Sequence, residues 1–341
     1  MGKPTYPIYR NGVKPMRRRS GVNPVPTFYE FVENSLEARK NILSFNTLKS
    51  KRSRHRLLQQ FAIDVYHKPA LDWSDFNAQL PLKLQNWCYG EPYKHSQNYV
   101  AKILDILRTW LAEAKELKIK DLSNAFETKV YKLNNTPIDT IALTFGEVVF
   151  LSQLEIKEKR LQHVRDVFVF ACLTGLRYSD VSRLKKINFQ ILTKNGKPLS
   201  IIDIVTQKTG ERVNVPLHPI AQEIIQRNDG QLPRVPSNQK LNSYLKELCE
   251  LAKMSDVVQL RGNVGGKMIV KTQTKYESVS THTARRTFAT IAYVHFKMPA
   301  ILVMKVTGHK SEKEFMKYIR IDRSDSAFEM ATYFKPGPSR A

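Results

Sequence analysis

Val100, Ile103, Leu104, Leu107, Leu111 and Ala114 recur at i, i+3, i+4 and i+7. That spacing puts them on one stripe of an α-helix and on no single face of a strand. The same period opens at Thr27, with Phe28, Phe31, Val32 and Leu36, and again from Thr47, with Leu57, Leu58, Phe61 and Val65. A further helix is predicted over Trp73 to Cys88, ended by Gly90-Glu91-Pro92. Four amphipathic helices between residues 27 and 118 have one way to bury their stripes, which is against each other. The expectation is a small helical bundle.

Residues 119–143 lose the period and read as a linker. A second domain opens at Thr144, where Thr144-x-x-Glu147 has the form of a capping box, followed by an apolar helix over Val164 to Leu173 that Thr174-Gly175 closes. The period then drops to two. Ile202, Ile204 and Thr206 alternate up to a turn at Thr209-Gly210, and Val213 and Val215 alternate away from it, which predicts a hairpin. Further helices are expected over Pro219–Arg227, Asn238–Lys253, Thr283–His295 and Ala300–Val306, with a second strand pair within Val257–Lys275. The fold class is therefore mostly α with a small antiparallel β-sheet, an α+β domain behind an N-terminal helical one. A length of 341 residues suits two cores.

Charge says what such a chain meets. Lys and Arg number 55 against 31 Asp and Glu, a net +24, and residues 1–60 hold 13 basic and 3 acidic side chains. A polyanion is the expected partner. Residues 1–26 carry Pro4, Pro7, Pro15, Pro24 and Pro26 beside Arg17, Arg18 and Arg19, and are expected to form a flexible basic arm. The longest apolar run, Val167 to Leu173, is far short of the roughly 20 residues a membrane helix needs. No membrane partner and a cytoplasmic location are expected. Cys88, Cys172 and Cys249 sit apart in apolar contexts, which suits free thiols and offers neither a disulfide framework nor a metal site.

Some polar residues stand where packing has no use for them. Arg177 follows Thr174-Gly175-Leu176 and precedes Asp180, whose carboxylate can orient it, although a surface ion pair would look the same. His282 opens a helix with Arg285 three residues on and Arg286 four, and its free N–H groups suit a phosphate. Helical spacing does not choose between the two arginines. Gly308-His309 precedes a short helix with Ser311-x-x-Glu314, and Tyr318 lies late in that helix. Lys208 stands at the hairpin tip. Taken singly, each also reads as an ordinary surface or core residue.

Taken together, the order Arg, Lys, His-x-x-Arg, Gly-His, Tyr resembles the tyrosine recombinase (phage integrase) family. The stretches that carry it are TGLRYSD at 174–180, TQKTGERVNVPL at 206–217, THTARRTFAT at 281–290 and TGHKSEKEFMKYIRID at 307–322. Their spelling is closest to integrases of mobile elements from the Bacteroidetes, and the resemblance selects Arg285 over Arg286. It implies a catalytic domain over 144–322 and a SAM-like core-binding domain over 27–118. It also implies DNA cleavage and rejoining with no metal, cofactor or ATP.

Under that resemblance Tyr318 is the nucleophile that forms a 3′-phosphotyrosyl link. Arg177, Arg285 and His309 hold the scissile phosphate, Lys208 is the general acid for the 5′-oxygen, and His282 is a proton-transfer partner or phosphate ligand. Asp180 holds Arg177. Lys49, Lys51, Arg52, Arg54 and Arg56 on the second helix, with Lys94 and Lys102 at the fourth, are the expected DNA-binding residues. The apolar tail Ser324–Phe334 would pack on a neighbouring protomer, giving a homo-tetramer on two double-stranded recombination sites, with accessory DNA-bending proteins as possible partners. Integration or excision of a mobile element is the implied role. A Xer-like or invertase-like recombinase, a type IB topoisomerase and a catalytically silent DNA-binding protein are the alternatives. With 26 residues ahead of the bundle, a separate arm-binding domain is not expected.

Overall fold

The computed structural model describes residues 25–119 and 131–320, together with Ala327, Met330, Ala331 and Phe334. The basic arm up to residue 24, the middle of the expected linker and most of the tail at 323–341 lie outside the described residues. The chain divides into two compact units: one takes in the residues up to Thr136 with Asn263–Lys267, the other Pro137–Gly262 and the residues from Met268.

In the first unit Thr27 caps α1 (Phe28–Ala38) through a reciprocal box with Glu30, and Ser44 caps α2 (Phe45–Tyr66). The helix expected over Trp73–Cys88 is two pieces, a 3₁₀ turn at Trp73–Asp75 and α3 (Leu80–Tyr89). Pro81 is the reason: it lacks an N–H and is tolerated only in a first turn, so the helix restarts just ahead of it. Ser96 then caps α4 (Gln97–Glu116), whose predicted stripe is buried, as are Phe28, Phe61 and Trp110. Tyr131 is fully buried in the same core and donates its hydroxyl to the Asn77 carbonyl at 3.1 Å.

The second unit starts with α5 (Phe145–Gln153), and here the Thr144–Glu147 box is present in both directions. Next is α6 (Lys159–Thr174), the centre of the fold, which packs against helices on several sides. Even Asp166 on it is buried, satisfied by Arg165 Nε at 3.0 Å, Arg227 Nε at 3.1 Å and Asn228 Nδ2 at 2.9 Å. After α7 (Tyr178–Val181), strands β1 (Phe189–Lys194), β2 (Lys197–Val205) and β3 (Arg212–Pro216) form an antiparallel sheet in that order. β2 and β3 are the predicted hairpin. β1 is an addition, turned back by Asn195-Gly196 with φ of 52° and 72°, as a type I′ turn requires.

The chain continues through α8 (Pro219–Arg227), α9 (Asn238–Leu251), the pair β4 (Val257–Val264) and β5 (Lys267–Thr274), and α10 (Lys275–Ser278). The predicted helix over Thr283–His295 is α11 (Thr281–Thr290), which loosens into a π-helical turn at Ile291–His295. It packs on α6. Last come α12 (Ala300–Thr307) and α13 (Glu312–Met316).

The α6–α11 contact depends on a glycine. Gly175 ends α6 at φ 67°, and a Cβ there would sit 2.3 Å from Phe288 Cδ1 on α11. Gly210 in the hairpin turn has φ 70° but nothing within 4 Å. Gly175→Ala therefore carries both backbone strain and overpacking, about 2–4 kcal/mol, against about 1 kcal/mol for Gly210→Ala. Urea unfolding of the two variants measures the difference; equal losses would remove the packing component.

Candidate active site

Arg177 is the N-cap of α7, two residues past the left-handed Gly175. Its guanidinium is half-buried, and a Cβ on Gly308 would lie 3.9 Å from Arg177 Nη2, so the arginine reaches the α12–α13 corner. Asp180 does not hold it. Asp180 Oδ1 accepts from Arg183 Nη2 at 3.1 Å and from the Gln207 N–H at 2.8 Å. The buried carboxylate thus anchors the turn that carries Lys208, while Arg177 has no hydrogen bond or ion pair among the described residues. Arg177 and Arg183 both lie three positions from Asp180 along the chain, and Arg183 is the one whose guanidinium meets the carboxylate.

Lys208 is exposed at the tip of a turn held by a Thr206–Thr209 hydroxyl pair at 2.7 Å and by the Gly210 N–H on the Thr206 carbonyl at 2.9 Å. Its position comes from its neighbour, because the next residue back is tied to Asp180.

Arg285 is 2% exposed, on the buried face of α11. Nη1 donates to the Gly175 carbonyl at 2.5 Å, but Nε and Nη2 are buried with no partner. Two orphaned donors on a buried cation are costly, and an anion accepting from both would relieve them. Arg286, on the neighbouring face, is half-buried.

Tyr318 stands in the turn after α13, two residues past its end, and donates its backbone N–H to the Phe315 carbonyl at 2.8 Å. The ring lies between two histidines, 4.3 Å from the His309 ring and 5.5 Å from that of His282. His309 follows the left-handed Gly308 that ends α12, and its Nδ1 is 2.9 Å from Thr307 Oγ1. Thr307 carries no signal in the sequence beyond lying two residues ahead of a histidine.

One electrostatic field covers the group. Burial, then Arg286, Arg285, Arg177 and Lys208, push the His282 ring down to about 4, although the residue as a whole is exposed. Burial, Arg285 and Arg177 push His309 down to about 4 against the opposing Glu314. Burial and Arg177 bring even Arg285 down to about 10, against Tyr318 and Asp180. Each imidazole is therefore neutral at pH 7, and the site is a cluster of cations short of an anion. Among the described residues no group of three or more His, Cys, Asp or Glu is placed to hold a metal ion.

The residues expected on DNA lie in the first unit. Lys49, Arg52 and Arg56 are exposed on one face of α2 at i, i+3 and i+7, with Arg52 3.8 Å from Glu37. Lys51 is half-buried, and Arg54 is engaged with Ser50 and the Tyr99 ring 5.7 Å away. Lys94 is paired with Glu91, and Lys102 is exposed on α4. No described helix is long and apolar enough to cross a membrane.

The two depressed histidines make a prediction. An imidazole whose folded pKa lies below its unfolded value near 6.5 supports the fold above that value and withdraws support as pH falls toward 4. The unfolding midpoint of the free protein should drop between pH 6.5 and 4, and His282→Gln should flatten the drop; an unchanged slope would remove His282 from the balance.

No protein-family model matches the sequence, and no curated protein does. Solved structures do match. A lambda integrase (75–356) dimer bound to a COC′ core site superposes with a TM-score of 0.62 at 16% identity, covering 87% of this chain and 96% of that one. The Tn1549 transposon integrase in complex with transposon right-end DNA gives 0.59 at 15%, covering 90% and 99%. The XerH recombinase bound to its palindromic difH substrate gives 0.58 at 13%, covering 90% and 94%. From its helical first unit to the tyrosine turn after α13, this chain has the fold of the tyrosine recombinases.

Proposed function

We propose that this chain is a site-specific DNA recombinase that cuts and rejoins DNA through a covalent link to Tyr318. The observation that carries the reading is Arg285: a buried guanidinium with two idle donors, beside a tyrosine, within the field of Arg177 and itself acting on two neutral histidines. A phosphodiester supplies what that arrangement lacks, a single negative charge with two non-bridging oxygens. The structures similar in fold are integrases and a recombinase in complex with DNA.

In this reading Tyr318 Oη attacks phosphorus in line, and the 5′-oxygen leaves with a proton from Lys208. Arg177 and Arg285 hold the non-bridging oxygens as charge grows on them, with one such preorganised donor worth roughly 10²–10³ in rate. The bond energy is kept in the phosphotyrosyl link, so rejoining needs no ATP. The exposed cations of α2 and α4 grip the duplex, each neutralised phosphate adding about 0.9 to the salt slope. Lambda integrase forms a tetramer on a Holliday junction; a tetramer on two sites, with integration or excision of a mobile element as its outcome, is the assembly we propose here.

The test is a nicked suicide substrate incubated with the protein in EDTA. A covalent protein–DNA adduct on a denaturing gel, absent in Tyr318→Phe, is expected. A bound but uncut substrate would leave a silent DNA-binding protein as the better reading, and an adduct that survives Tyr318→Phe would move the nucleophile elsewhere.

Arg285 also separates stability from activity. Replacing a buried unpaired charge by an apolar side chain of similar length relieves its desolvation cost. Arg285→Met should raise the unfolding free energy of the DNA-free protein by about 1 kcal/mol or more while abolishing the adduct. A destabilised Arg285→Met would mean that the bond to Gly175 outweighs the burial cost.

A further inference from the structure

β1 accompanies β2 only as far as the Phe189↔Ile202 pair, yet β2 runs on to Val205 and into the Lys208 turn. Backbone groups of a strand alternate between its two edges. At this end of β2 one edge faces β3, where the Thr206 N–H donates to the Glu211 carbonyl at 2.9 Å. The other edge has no strand, and three side chains from α7 and the chain that follows it take the place of one. Asn188 Nδ2 donates to the Asp203 carbonyl at 2.9 Å, Arg183 Nη2 donates to the Val205 carbonyl, and Asp180 Oδ1 accepts from the Gln207 N–H at 2.8 Å. Arg183 Nη2 also donates to Asp180 Oδ1 at 3.1 Å, which joins the last two anchors. Asp180 is buried, its Oδ2 has no partner, and Arg183 is the one cation in ion-pair contact with it among the described residues.

Resting on the recombinase reading above, we propose that Arg183 is a positioning residue for Lys208: with Asp180 it supplies the missing edge partner at the end of β2 and so fixes the base from which the lysine reaches the 5′-oxygen. A lysine on an exposed turn has a long, rotating side chain, so the protein controls its reach through the backbone beneath it. Lys208 follows directly on Gln207, and its charge is felt at His282, which puts the turn beside the site. Without Arg183 the Asp180 carboxylate is a buried charge with no paired cation and the Val205 carbonyl loses its donor, so both anchors of the turn loosen together. As an ion pair the contact contributes little, because Arg183 is itself exposed. Its effect is on placement, and a displacement of about 1 Å near the reacting atoms can cost about 10²-fold in rate. A direct contact from this arginine to a DNA phosphate is the competing role.

The test replaces the 5′-bridging oxygen of the nicked suicide substrate by sulfur. A thiolate departs without a proton, so a general acid, and whatever positions it, no longer matters. On the oxygen substrate Arg183→Ala should slow single-turnover adduct formation about tenfold or more at saturating protein. On the sulfur substrate it should match the wild type, as should Lys208→Ala. An Arg183→Ala protein as fast as wild type on oxygen overturns the proposal. So does one slowed equally on both substrates, which is the result for a DNA phosphate contact or a damaged fold. Amide hydrogen exchange of the DNA-free protein reads the anchor itself: residues 205–210 should exchange about tenfold faster in Arg183→Ala with α6 unchanged, and unchanged protection at 205–210 overturns the proposal as well. Arg183→Gln serves both measurements if the alanine variant does not fold. A wild-type protein that forms no adduct would sink the recombinase reading instead, and a Lys208→Ala defect that sulfur does not relieve would sink the general-acid role; in either case hydrogen exchange still judges the anchor.

Discussion

The burial of Arg285 is the constraint around which the second unit is arranged. A guanidinium carried into a core must be held by something, and here that is one carbonyl, that of Gly175, at the left-handed end of α6. This fixes the approach of α11 to α6, and Phe288 fills the space that only a glycine leaves open. The same corner releases the chain toward Arg177. A single contact therefore sets the helix packing, the spacing of the two arginines and the place where an anion would be welcome.

The remaining groups are hung on that frame by local capping. Gly308 ends α12 in the left-handed region and throws His309 toward Tyr318; Ser311 starts α13, whose short length delivers the tyrosine in the following turn. Asp180 works on the opposite side, pinning the Gln207 amide so that Lys208 projects from a fixed base. The cost is electrostatic. Two histidines are kept neutral by burial and by the neighbouring cations, and the free protein holds this arrangement because the hydrophobic contacts of α6 and α11 outweigh it.

Much of this was legible in the sequence where the signal was local. The stripe of α4, the box at Thr144 and the β2–β3 turn follow from spacing and side-chain chemistry within a few residues, whereas the box expected at Ser311 is half made: Ser311 caps the Glu314 N–H and the Glu314 carboxylate pairs with Lys317 instead. Asn195-Gly196 announced β1 as well, but the flanking residues Ile191, Leu192 and Leu199 lie on exposed strands and do not alternate, so the period-two signal was absent. Trp73–Cys88 misled because Pro81 sits inside an apolar pattern that looks continuous. The six polar residues of the site were found by their order along the chain, not by any property of each alone.

The sequence by itself determined the helical class, room for two cores and a basic composition, because periodicity, charge and capping act between near neighbours, while its candidate site residues came from the resemblance of their order to a known family. Only the tertiary structure decided that Arg285 is buried with idle donors and Arg286 is not, that Asp180 serves the Lys208 turn instead of Arg177, and that the Thr307 hydroxyl meets His309 Nδ1. Those outcomes depend on which groups meet across α6, α11 and α12. Desolvation and hydrogen bonding between elements are properties of such meetings, and no spacing along the chain encodes them.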